Sequence, residues 1–111
     1  NYLLFKNILG GKYRLLHAWD GVEAVELYKE HRPNIVIMDI NMPNMNGYEA
    51  TREIRKISEK VPIIAVTAYA YASDEARIME SGFNGYVSKP IDAHKLKNEI
   101  MTTISRNFIL M

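Results

Sequence analysis

Three residues in this chain could do chemistry together, and each stands at the same kind of place. Asp39 closes the apolar run Ile35 to Met38, Thr67 closes "IIAVT", and Lys89 follows "GYVS". A carboxylate oxygen can attack phosphorus and form an acyl phosphate. Charge then spreads over the equatorial phosphoryl oxygens, where a fixed ammonium and a hydroxyl stabilise it. Each residue also has a plainer reading. A strand-end acid often forms a turn or a cap, a terminal Thr is often only a strand residue, and a Lys before proline is often solvated. The coincidence of all three at strand ends favours the chemistry, because open parallel sheets bind ligands beyond their carboxyl ends.

The loop after Asp39 reads "INMPNMNG". The backbone carbonyl of Asn41 is placed to reach a Mg²⁺ ion, a hard cation that takes oxygen ligands. Pro43 with its locked φ, and Gly47 with its conformational freedom, are expected to fix the loop's path. Met42 and Met45 flank the loop and are read as its cover.

The elements that must hold these residues follow from periodicity and punctuation. Tyr2 to Leu9 has helical spacing at Leu3, Leu4, Ile8 and Leu9, and Gly10-Gly11 ends it. Tyr13 to Ala18 reads as a strand. Asp20-Gly21 turns into an amphipathic helix with Val22, Val25 and Tyr28 inward, stopped before Pro33. A strand is expected at Ile35–Asp39, a helix at Gly47–Ile57 and a strand at Ile63–Thr67. Ser73-Asp74 caps a helix that Gly82 ends, Gly85–Ser88 is a short strand, and Asp92 caps a last helix running to about Arg106. Strands that are apolar throughout are covered on both faces. Alternation with helices then implies an α/β fold with a doubly wound parallel sheet.

The chain has 111 residues, room for one domain with a core. Hydrophobic residues are 48% and charged residues 24%, with a net charge of +1, which excludes disorder and gives no basic footprint for nucleic acid. There is no cysteine, so disulfides and thiolate metal sites are excluded and a cytoplasmic location is compatible. No apolar run is long enough to span a membrane.

Taken together, "IVIMDINMPNMNGYEATREIR", "IIAVTAYA" and "GYVSKPI" resemble the receiver domains of two-component response regulators, over residues 2 to 106. The wording is similar to receivers attached to hybrid sensor kinases. The resemblance implies a flavodoxin- or CheY-like fold with strand order 2-1-3-4-5. It implies that Asp39 is the phosphoacceptor, supplied by a histidine kinase or a histidine phosphotransfer protein. Thr67 is then the switch hydroxyl and Lys89 the cation on the phosphoryl group, with a Lys89–Pro90 bond that is often cis. Tyr86 is the aromatic that moves with Thr67; by itself it reads as a half-buried strand residue. Asn41 offers a carbonyl to Mg²⁺, and its side chain and Tyr69 tune phosphate lifetime. Self-phosphorylation and autodephosphorylation of Asp39 are expected, but not turnover.

Receivers begin with a strand ending in two acids that complete the Mg²⁺ site, and this chain opens in the first helix. The single domain, 1–111, is thus expected to lack its central first strand. That leaves unpaired edges and exposed apolar surface costing several kcal/mol at roughly 25 cal/mol per Å². Three readings stay open: the strand exists outside these residues, a neighbouring copy fills the gap by strand exchange in a homodimer, or the fold rearranges. With Asp39 and one carbonyl as the only protein ligands, Mg²⁺ is expected to bind weakly.

The remaining residues add little. His17, His31 and His94 have no metal-ligand spacing. Trp19 reads as packing near a loop, Tyr69 and Tyr71 as part of a partner face, and Phe108 to Met111 as an apolar tail. A haloacid-dehalogenase-type phosphatase is the enzyme alternative, but no acid stands two residues after Asp39. A pseudo-receiver, docking or dimerising without phosphate, is the non-enzymatic one.

Overall fold

The alternation along the central apolar run decides how the sheet is covered. In the computed structural model, which describes residues 2–11, 13–42, 44–68 and 72–107, every residue of Ile63–Thr67 is buried. Ile63 and Ala65 point into one core, and Ile64 and Val66 into another. A period of two sends successive side chains to opposite faces, so an all-apolar strand needs helices on both sides.

Those helices are α1 (Tyr2–Leu9), α2 (Gly21–His31), α3 (Gly47–Ile57), α4 (Ala72–Glu80) and α5 (Ala93–Asn107). Between them run strands β1 (Val36–Asp39), β2 (Ile63–Thr67) and β3 (Gly85–Ser88). The strands pair in the order β1-β2-β3, both ladders parallel, with Asp39 opposite Val66 and Thr67 opposite Ser88. Val25 and Tyr28 of α2, Ile54 of α3 and Ile78 of α4 fill one core; Leu9 of α1 with Leu96 and Ile100 of α5 fill the other. This is the doubly wound arrangement that the sequence implied.

Caps fix where the helices begin. Asp20 accepts from the Glu23 N–H at 2.9 Å to start α2. Asn46 and Glu49 form a reciprocal capping box at the start of α3. Asp92 accepts from the Lys95 N–H at 3.1 Å ahead of α5. Gly82, at φ 102°, ends the α4 region in a conformation that favours glycine.

Several expectations are corrected. Residues 13–18 form no strand, because a strand is defined by its neighbour and nothing among the described residues pairs with them. Tyr13 and Leu15 still pack on the second core, while Leu16 is left 41% exposed. β1 begins at Val36 rather than Ile35, which packs on the core without pairing. α4 begins at Ala72, which puts Asp74 within its first turn rather than ahead of it. Val22, Leu3 and Leu4 are exposed, so the buried stripes of α2 and α1 are narrower than the spacing suggested. Trp19 is 75% exposed, its ring tilted against that of His17 with the centroids 4.5 Å apart. Pro43, Tyr69, Tyr71 and Phe108 to Met111 lie outside the described residues.

Candidate functional site

The parallel register brings the three strand ends to one rim. Lys89 Nζ lies 2.9 Å from Asp39 Oδ2. The Lys89 N–H donates to the Thr67 carbonyl at 2.8 Å, and the Ile40 N–H donates to the Val66 carbonyl at 3.1 Å. The backbone after each strand thus continues the ladder for one more residue and holds the side chains in a row. The Lys89–Pro90 peptide bond is cis.

Both oxygens of Asp39 have partners. Oδ2 faces Lys89, and Oδ1 accepts from the Asn41 N–H at 3.0 Å. The Asp39 and Lys89 side chains are 28% and 29% exposed, so their attraction is less screened than in a surface pair, where it is typically worth about 0–1 kcal/mol. Partial exposure also leaves the carboxylate open to a reactant from solvent.

Thr67 is 5% exposed. It lines a cleft of about 200 Å³ with Ile40, Asn41, Asn46, Tyr48, Asp74 and Arg77. The Arg77 guanidinium lies 4.1 Å above the Tyr48 ring, bracing α4 against α3 beside this cleft. Tyr86, on β3, is half-buried against the first core and faces the groove between α4 and α5.

Gly47 matters for a different reason from the one its type suggested. It is the first residue of α3, and its N–H donates to the Ile40 carbonyl at 2.8 Å. A Cβ there would stand 2.5 Å from the Asp39 carbonyl oxygen and 2.7 Å from Ile40 Cα. Space, not an unusual φ, requires glycine. Met42 and Met45 are half-buried against the first core, as a cover for the loop.

Two arrangements escaped the sequence reading. Arg55 donates to the carbonyls of Gly82, Ser58 and Val61 and to Asn84 Oδ1, at 2.7 to 3.2 Å. Burial pushes its guanidinium below its ordinary value. It ties the end of α3 to the turn that precedes β3. The other is the bond from Asn44 Nδ2 to Asp20 Oδ2 at 2.7 Å, across 24 residues of sequence. The Glu23 N–H first, and then the Asn44 amide, hold the Asp20 carboxyl below its ordinary value.

Magnesium is the cofactor that this fold implies. Asp39 and the Asn41 carbonyl supply oxygen donors of the right hardness. Among the described residues, no group of three or more His, Asp or Glu side chains could hold an ion unaided. The Asp39 carboxylate and the Asn41 carbonyl are both oxygen donors of the kind that a hard Mg²⁺ ion takes, so the residues present fit the ion. Also among the described residues, no helix is long and apolar enough to cross a membrane.

A parallel α/β sandwich with an acid, a hydroxyl and an ammonium along its carboxyl rim defines a class, and comparison with known proteins identifies it. The response regulator receiver domain family matches residues 3–101, and this chain belongs to that family. It is 39% identical over 94 residues to the polar-differentiation response regulator DivK of Brucella anthropi, an alignment covering 82% of this chain and 76% of that protein. The receiver domain of a sensor histidine kinase from Pseudomonas aeruginosa, solved with magnesium in its active-site cleft, superposes with a TM-score of 0.85 at 33% identity, over 95% of this chain and 88% of that one. The receiver domain of a histidine kinase from Syntrophus aciditrophicus gives a TM-score of 0.83 at 26% identity, over 99% and 86%. The fold is thus the CheY-like, flavodoxin-like one, and the function that of a receiver in two-component signalling.

Proposed function

We propose that residues 1–111 act as one receiver unit in which Asp39 accepts a phosphoryl group from a phosphohistidine on a kinase or a histidine phosphotransfer protein. The supporting observation is the rim itself: Lys89 Nζ at 2.9 Å from Asp39 Oδ2, with Thr67 on the adjoining strand end. An Asp39 oxygen attacks phosphorus, the N–P bond breaks, and the imidazole nitrogen keeps the electron pair and takes up a proton. The product is an acyl phosphate. Lys89 balances its charge, and the Thr67 hydroxyl turns to a phosphoryl oxygen.

Asp39 and the Asn41 carbonyl would supply oxygen donors to a Mg²⁺ ion. When bound, the ion supplies neutralisation of phosphoryl charge. Phosphorylation moves Thr67, Tyr86 follows into the space beside the first core, and the α4–β3–α5 face changes its affinity for a partner. Asn41 and Tyr69 set how long the phosphate lasts, and hydrolysis of the acyl phosphate returns the domain to its start without turnover of a separate substrate.

Intact-mass measurement after incubation with acetyl phosphate and Mg²⁺ tests this reading. One phosphoryl group on the parent chain, and none on Asp39→Asn, is the expected result. A folded parent chain that gains no phosphoryl group overturns it and leaves a receiver fold that docks or dimerises without phosphate.

A further inference from the structure

The acceptor loop is held at a point far from Asp39 in sequence. Asp20, the cap of α2, accepts from the Glu23 N–H through Oδ1 and from Asn44 Nδ2 through Oδ2, at 2.9 and 2.7 Å. Asn44 sits at φ 66°, a left-handed conformation that asparagine tolerates. One residue on, the Met45 carbonyl lies so close to Gly21 that a Cβ there would collide with it. The start of α2 and the loop at Asn44 and Met45 are therefore pressed together by backbone and joined by a side-chain bond. At the loop's near end, the Asn41 N–H holds Asp39 Oδ1 at 3.0 Å. At its far end, the Asn46–Glu49 capping box fixes the start of α3.

We infer that Asp20 and Asn44 are positioning residues for the acceptor: their bond fixes the loop so that the Asn41 amide holds the Asp39 carboxylate in its attacking rotation. Neither side chain touches the reacting atoms. They act by limiting where the loop can go, with Asp39 pinned between Lys89 on one oxygen and the loop amide on the other. The inference rests on Asp39 being the phosphoacceptor, but the geometry of the loop can be read without any phosphate.

Charge exchange within the pair tests it. Asn44→Asp places a second carboxylate against Asp20. Asp20→Asn keeps a good helix cap, and its amide can donate to a turned-over Asn44 side chain. The double variant restores one donor and one acceptor in reversed order. Two quantities are measured in the parent and each variant: the solvent-exchange rate of the Asn41 amide by NMR, and the initial rate of phosphorylation by acetyl phosphate with Mg²⁺. Asn44→Asp is expected to speed amide exchange and slow phosphorylation, each by about three- to tenfold, the range set by one net hydrogen bond. Asp20→Asn alone stays near the parent, and the double variant recovers both rates. Asn44→Gly, which keeps the left-handed backbone without adding charge, falls between.

Unchanged Asn41 exchange in Asn44→Asp overturns the inference. So does a double variant that melts like the parent yet recovers neither rate. If the parent chain takes no phosphoryl group, the receiver reading fails by itself, and Asn41 exchange with its rescue still decides whether the pair positions the loop.

Discussion

At the scale of single residues, the acceptor rim is a matter of a few contacts with little slack. Removing the Lys89 ammonium leaves a partly shielded carboxylate without its cation and, on the proposed reading, a phosphoryl group on Asp39 without a counter-charge. Lys89→Ala is expected to slow phosphorylation by acetyl phosphate by about 10²–10³, the usual cost of one preorganised stabilising group. A rate within twofold of the parent would show that Lys89 only pairs with the resting acid. Gly47→Ala forces a methyl against the Asp39 carbonyl and Ile40 Cα, both backbone, so α3 or the strand end must move. Denaturant melts are expected to show a loss of about 1–3 kcal/mol, the range for overpacking, together with slower phosphorylation. Stability equal to the parent's would mean that the strand end yields at no cost.

At the scale of elements, polar contacts decide how α3 and the caps sit. Arg55 satisfies three backbone carbonyls and the side chain of Asn84, which in turn accepts the Ile63 N–H at 2.8 Å. Arg55→Ala strips those partly buried groups of donors and is expected to cost about 2–4 kcal/mol. Thr51 shows the reverse case: its hydroxyl is buried in α3 with no hydrogen-bond partner among the described residues. Thr51→Val exchanges an unsatisfied hydroxyl for a methyl of like size and is expected to be neutral or stabilising by urea titration.

The caps give α2 and α5 a pH dependence. Backbone N–H groups, foremost those of Glu23 and Lys95, hold the carboxyls of Asp20 and Asp92 below their ordinary values. A folded-state value below the unfolded one contributes stability above the unfolded value, and that contribution is lost as pH falls through the folded value. Helical circular dichroism followed downward from neutral pH should therefore show α2 and α5 loosening only in the acid range. Asp20→Asn should remove the share that belongs to α2. A variant that loosens with the same profile would place the acid sensitivity elsewhere.

At the scale of the whole molecule, what was legible in the sequence was whatever depends on local pattern. The run at Ile63–Thr67 is a strand because an apolar, β-branched segment between helices has little else to become, and the short Gly85–Ser88 is a strand because it pairs beside that run. The rim followed from those strands being parallel neighbours. The stretch Tyr13 to Ala18 is partly apolar but has no β-branched residue, and it forms no ladder because nothing among the described residues pairs with it. Arg55 was invisible for a related reason: it serves backbone carbonyls, which carry no residue code. The bond between Asp20 and Asn44 joins residues that no periodicity connects.

The site's central claim is that Asp39, Thr67 and Lys89 form one receptacle for a phosphoryl group. Beryllofluoride with Mg²⁺ mimics that group on an aspartate without chemistry, so amide NMR spectra before and after its addition test the claim most directly. The account predicts the largest shifts at Asp39, Thr67 and Lys89, followed by Tyr86, with the same addition to Asp39→Asn giving none. A parent spectrum that stays unchanged, or shifts that gather away from these strand ends, would contradict it.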